Sequence, residues 1–93
     1  MKLQAIIRET VEPKQGKLPQ SVIVEFLGDK EKQHFEVLFY DLDPYYLKIR
    51  KWDIWELTIK WKSEIFVDSK TKAKSYFTYL VCSNALPIHQ MEK

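Results

Sequence analysis

Residues 51–66 read KWDIWELTIKWKSEIF, and the way this stretch folds decides the rest of the chain. It contains all three tryptophans of the protein, set among lysines. From Ile54 onward the pattern has a period of two. Trp55, Leu57, Ile59 and Trp61 share one parity, while Glu56, Thr58, Lys60 and Lys62 share the other. Successive side chains of a strand point to opposite faces, so the pattern predicts a long strand over 54–67 with one apolar face. Trp55 and Trp61 are thereby expected in the core beside Leu57 and Ile59. Trp52 lies outside the alternation, where the chain must turn into the strand, and its parity settles nothing.

Working outward from this strand, DSKTKAK (68–74) is a polar, lysine-rich hairpin tip. SYFTYLVC (75–82) alternates again and predicts a fifth strand, after which Pro87 is expected to end pairing and 84–93 to form a flexible tail. Upstream, strands are expected over 3–11, 21–26 (SVIVEF) and 34–40 (HFEVLFY). EPKQGKLP (12–19), with two prolines and Gly16, marks the first loop, and GDKEKQ (28–33) the second. Between the third and fourth strands the period changes. In DLDPYYLKIRKWD (41–53), Asp43 is placed as an N-cap and Pro44 as the first helical residue, which predicts a short helix of about two turns.

The 93 residues make one domain over 1–93, and such a small domain needs an efficient core. Phe, Tyr and Trp supply 14% of the residues, and each ring removes a large apolar area from water. A single cysteine, Cys82, excludes an internal disulfide and reads as a small buried hydrophobe. The first residues, MKLQAIIRET, hold no apolar run of the length a signal peptide or a membrane span requires, so a cytoplasmic protein with no membrane partner is expected. Net charge is only +2, but from Lys48 to Lys74 eight basic residues face four acidic ones. That asymmetry is a phosphate footprint or an ordinary solvated face.

Three strands, a short helix, then two more strands is the order of an OB-fold, so the expected class is all-β: a five-stranded Greek-key barrel with one helix between strands 3 and 4. HFEVLFYD (34–41), WDIWELTIKWKSE (52–64) and SYFTYLVC (75–82) resemble a family of small bacterial OB-fold proteins related to single-stranded-DNA-binding proteins. Phe35-Glu36-Val37, Asp53 and Phe77-Thr78 match positions of that family's pattern. The chain departs from it at Trp52, where the family usually has glycine, and in a first loop reduced to the lone Gly16. The resemblance implies single-stranded nucleic acid binding.

Catalysis finds no support in the residues. His34 and His89 lie far apart, no nucleophile–base pair or metal-ligand spacing occurs, and phosphate loops are absent. The expectation is therefore a protein that is not an enzyme, with no catalytic residues, no metal, no cofactor and no small-molecule substrate. Single-strand binders combine a positive groove with rings on which bases stack. In this chain the first loop offers Lys14 and Lys17, and the hairpin tip Lys70, Lys72 and Lys74. Lys60 and Lys62 project from the polar face of the fourth strand, while Tyr40, Phe77 and Tyr79 are the outward rings. Glu25 and Glu36 fall on the face that phosphates would approach and count against it.

The outward apolar set (Ile23, Leu38, Tyr40, Phe77, Tyr79, Val81) is large for a monomer. It points to an oligomer or partner interface more than to base stacking: a homo-oligomer is expected, and the rival reading is a protein-interaction module that binds no nucleic acid. Oligosaccharide binding, which aromatic side chains also serve, is a third and weaker reading.

Overall fold

The computed structural model describes residues 1–13, 16 and 19–90. Five strands form: β1 (Lys2–Ile7), β2 (Gln20–Phe26), β3 (Phe35–Phe39), β4 (Ile54–Val67) and β5 (Lys74–His89). They close into a barrel-like ring in the order β1-β2-β3-β5-β4. All neighbours are antiparallel except β3 and β5, which run parallel with Val37 opposite Leu80 and Phe39 opposite Cys82. Ala5, Ile7, Val22, Val24, Val37, Phe39, Trp55, Leu57, Ile59, Leu80 and Cys82 fill the ring. Each such large apolar side chain contributes about 1.5–3 kcal/mol by leaving water. Among the described residues no helix is long and apolar enough to cross a membrane.

The expected helix over 41–53 does not form among the described residues; the start signal is present, but one turn is all it nucleates. Asp43 caps it, its Oδ1 accepting from the Tyr45 and Tyr46 amides at 2.9 and 3.3 Å. Leu47 N–H reaches the Asp43 carbonyl at 3.0 Å, the one helical bond. Lys48 then adopts φ 63°, and the amides of Lys48 and Ile49 close back on the carbonyls of Tyr45 and Pro44 at 3.1 and 3.0 Å. This is the Schellman stop found at helix ends. It comes this early because Ile49, 2% exposed, is drawn into the core. A single turn has no propagation to offset its nucleation cost, so tertiary packing decides the outcome.

Nor does the segment after Ser83 behave as a tail. Asn84 and Leu86 pair with Thr58 and Glu56, Pro87 pairs with Trp55, and pairing continues to His89. The register shifts twice, leaving Ser83 and Ile88 unmatched in the pairing with β4. These bulges lie on β5, so the parity of β4 holds along its length while that of β5 reverses at Ser83. Ala85, not Asn84, is the residue that packs against the core.

The feature that positions the candidate site is a projection. Met1 and Ile59 bond each other's backbone at 2.7 and 3.2 Å, and this is the last link between the β1 side and β4. On the other flank, β3 contacts β5 no further back than Leu80. Beyond these points the described strands pair only with each other, Lys62 opposite Tyr79 down to Val67 opposite Lys74. The result is a two-stranded ribbon that leaves the ring and extends it by about 20 Å, at some 3.3 Å per residue. The radius of gyration is accordingly 15.0 Å, against about 12 Å for a compact chain of this length.

Candidate nucleic-acid interface

The ribbon inherits two faces from the ring. Its outer face carries Lys60, Lys62, Glu64 and Phe66 from β4, set against Val81, Tyr79, Phe77 and Ser75 from β5 in the rows that the register fixes. Phe66 and Phe77, diagonal neighbours, meet edge to face with centroids 5.3 Å apart. Aromatic pairs of this geometry are among the stronger cross-strand contacts. One row further in, the Tyr79 hydroxyl donates to Glu64 Oε1 at 3.0 Å. That bond to a carboxylate, together with desolvation, the charge of Glu64 and the nearby Tyr40, pushes the Tyr79 phenol up to about 12.

Five of the ten residues proposed from sequence therefore share one surface: Tyr40, Lys60, Lys62, Phe77 and Tyr79. Tyr40 and Phe77 are half-exposed, with their rings available. Phe66 belongs to the same surface and was not singled out from sequence, although its parity with Lys60 and Lys62 was readable. Glu25 is withdrawn from this surface. It is buried and pairs with Arg8 at 3.6 Å.

Lys70 and Lys72 sit at the tip and Lys74 at its base. The tip is built around Asp68. Its Oδ1 accepts from the Lys70 and Thr71 amides at 2.7 and 3.2 Å, and those bonds lower its pKa. Its backbone closes the loop with Ala73 and Lys72 at 2.9 and 2.8 Å. Lys72 occupies the left-handed region at φ 57°. Among the described residues no ion pair joins the tip lysines to the Asp68 carboxylate. Lys74 pairs with Val67 and so lies on the inner face, apart from the outer set.

Lys14 and Lys17 lie outside the described residues. The loop that bears them leaves the C-terminal end of β1, beside the start of β4, whereas the hairpin tip lies past β1's N-terminal end. The described ends of the first loop and the tip are therefore at opposite ends of the ring.

At that other end lies an open groove of about 870 Å³ lined by Tyr45, Tyr46, Lys48, Arg50 and Lys51, among others. Beside it stands Trp52, 46% exposed, at φ 75°. Arg8 and Lys51 approach its ring to 4.7 and 5.2 Å from the centroid. Its backbone is held by the Ile7 carbonyl at 2.7 Å, and the next residue, Asp53, is fully buried. Asp53 Oδ2 accepts from the Arg50 amide and the Trp55 indole at 3.0 and 3.2 Å. Trp55 is thus a core residue with its N–H satisfied, while Trp52 is a surface residue in a backbone conformation suited to glycine.

Trp61 corrects the expectation from sequence. It keeps the parity of the core but is 61% exposed, because the ring ends at Ile59 and the ribbon carries Trp61 out of it. Among the described residues no three His, Cys, Asp or Glu side chains group as a metal site would require. Cys82 is 1% exposed, and burial pushes its thiol up to about 11. No family model, curated protein or solved structure matches the chain.

Proposed function

We propose that the protein is a single OB-fold, a Greek-key barrel, that binds single-stranded nucleic acid, in the first instance single-stranded DNA, without sequence specificity and without covalent chemistry. The observation that carries this reading is the outer face of the ribbon, where the exposed Tyr40, Phe66, Phe77, Lys60 and Lys62 stand beside the partly buried Tyr79. Bases present π-faces whatever their sequence, so exposed rings flanked by ammonium groups suit an extended strand better than a stacked duplex. Five lysines between Lys60 and Lys74, against Glu64 and Asp68, give the ribbon a net charge of +3 for phosphates. The ring order, with β3 parallel to β5, supports the OB-fold reading. In this account Phe77 and Tyr40 stack bases, Lys60 and Lys62 hold the backbone, and the tip lysines Lys70 and Lys72 extend the track.

The test is a fluorescence-anisotropy titration of labelled oligo-dT and of a duplex of equal length, at several salt concentrations. Preference for the single strand is expected, with log K falling by about 0.7 per phosphate neutralised for each decade of salt. Absence of binding at low salt, or equal affinity for the duplex, would count against the reading. Affinity without salt dependence would point instead to an uncharged ligand such as an oligosaccharide.

A further inference from the structure

The ribbon's inner face continues the face that lines the ring, and it remains apolar after the ring has ended. Trp61, Ile65, Val67 and Tyr76 are 61, 59, 58 and 66% exposed there. A two-stranded hairpin standing alone is marginal in water, and this one presents rings and branched side chains to solvent on the face that should be dry.

We infer that this inner face packs against the same face of a second copy of the chain, ribbon on ribbon, about a two-fold axis. The case for a second copy rather than an unrelated partner is the order of side-chain sizes. Four cross-strand rows run outward along the face: Trp61 with Leu80, Ser63 with Thr78, Ile65 with Tyr76, and Val67 with Lys74. The sequence of sizes is large, small, large, intermediate. A two-fold axis between the second and third rows sets each Ile65–Tyr76 row over the other copy's Ser63–Thr78 row. It sets each Trp61–Leu80 row over the other copy's Val67–Lys74 row. Bulk then meets space, the condition for two sheets to pack at about 10 Å.

Charge agrees with this arrangement. Lys74 is the one ionised side chain in the four rows, and the axis keeps the two copies of it at opposite ends. Each comes to lie over the other copy's Leu80, away from any like charge.

The area is sufficient. With about 150–250 Å² for an aromatic side chain, the exposed parts of these four residues and the stems between them amount to roughly 500 Å² per copy. The total, roughly 1,000 Å², is the least that a biological interface buries and suits a weak, concentration-dependent dimer. Trp61 then reads as core in the sequence because a dimer makes it core. Packing uses the inner faces only, so both outer faces remain open on opposite sides of the pair.

The decisive experiment is sedimentation of the full chain without nucleic acid, from low to high micromolar concentration, for the native sequence and for Thr78→Arg, Ile65→Lys and Phe77→Ala. Thr78 and Ile65 are exposed in the single chain, so their replacement leaves its core intact. Far-ultraviolet circular dichroism checks this for each variant, and either one suffices if the other fails to fold. The native chain is expected to rise with concentration from 11.2 kDa towards twice that mass. Thr78→Arg and Ile65→Lys should raise the dissociation constant by more than about tenfold, and Phe77→Ala should leave it unchanged. A native chain that stays at 11.2 kDa throughout would overturn the inference. So would inner-face variants that associate as the native chain does, or loss of association in Phe77→Ala. Because no nucleic acid is present, none of these outcomes depends on the single-strand reading.

Discussion

Ile59 and Trp61 stand two residues apart on the same face of β4, yet Ile59 is 1% exposed and Trp61 is 61% exposed. The boundary between them is where β1 ends, with the backbone bonds between Met1 and Ile59. Inside that boundary the molecule is a closed ring around a dry core. Outside it, the same two strands form an arm whose two faces differ. Rings and lysines share the outer face, while the inner face is largely apolar. The functional account follows from that division.

Asp53 fastens the last residues of the connection between β3 and β4 to the start of β4. It is fully buried and accepts from the Arg50 amide and the Trp55 indole. Asp53→Ala leaves both donors without this acceptor and should lower unfolding stability by about 2–4 kcal/mol in urea titrations. Asp53→Asn keeps one acceptor oxygen and should lose less. Equal loss in the two variants would show that the site matters for its shape and not for its hydrogen bonds.

Trp52 holds φ 75°, in the region where a side chain costs about 1–2 kcal/mol. Its contacts with Arg8 and Lys51 offset part of that, at about 0.5–1 kcal/mol for exposed cation–aromatic pairs. Trp52→Gly removes both terms and should change stability by less than about 1 kcal/mol, glycine's own conformational entropy included. Trp52→Val keeps the strain, adds branching at Cβ and loses the ring, so it should be the less stable of the two. If valine were tolerated as well as glycine, the backbone would not be the constraint.

The Tyr79 phenol, pushed up to about 12 chiefly by its bond to Glu64, should ionise well above the ordinary value of 10. Following phenolate absorbance through an alkaline titration reads this directly. Glu64→Gln removes the charge that holds the proton and should bring Tyr79 back towards the ordinary value of 10. An unchanged titration curve would mean that the bond is not kept in solution.

The Cys82 thiol lies in the core, raised by burial from an ordinary 9 to about 11. The folded state therefore holds this proton more tightly than the unfolded state does. That contribution to stability is complete below pH 9 and is lost as pH rises from 9 to 11. Cys82→Ala should flatten this part of the stability profile relative to the native chain, leaving the higher fall due to Tyr79. At pH 8 a thiol reagent should label the native protein only as fast as it opens.

The ring was legible in the sequence because its signals are local. Period-two alternation identified the five strands, and the matched parities of Trp55, Leu57 and Ile59 gave the core face of β4. The misreadings share a cause, since each depends on tertiary pairing or packing that no local pattern records. Trp61 has core parity, but nothing in residues 51–66 records that β1 reaches only to Ile59. Pro87 reads as the end of a strand, yet it lies in a paired stretch flanked by the bulge at Ile88. Asp43 and Pro44 start a helix correctly, and the demand of the core for Ile49 ends it after one turn. Of the candidate site, the outward rings and the β4 lysines follow from parity. That they project on an arm, and that Glu25 turns aside to Arg8, follows from tertiary pairing alone.

Phe77→Ala tests the central claim most directly, because Phe77 is exposed on the outer face and contributes nothing to the ring's core. The measurement is the anisotropy-derived Kd for labelled oligo-dT at low salt, for the native chain and the variant together. Loss of one stacked base, at about 1–3 kcal/mol, predicts weakening by roughly 5-fold to 150-fold with the salt slope preserved. An unchanged Kd in a folded variant would contradict the assignment of the ribbon's outer face as the surface that holds the strand.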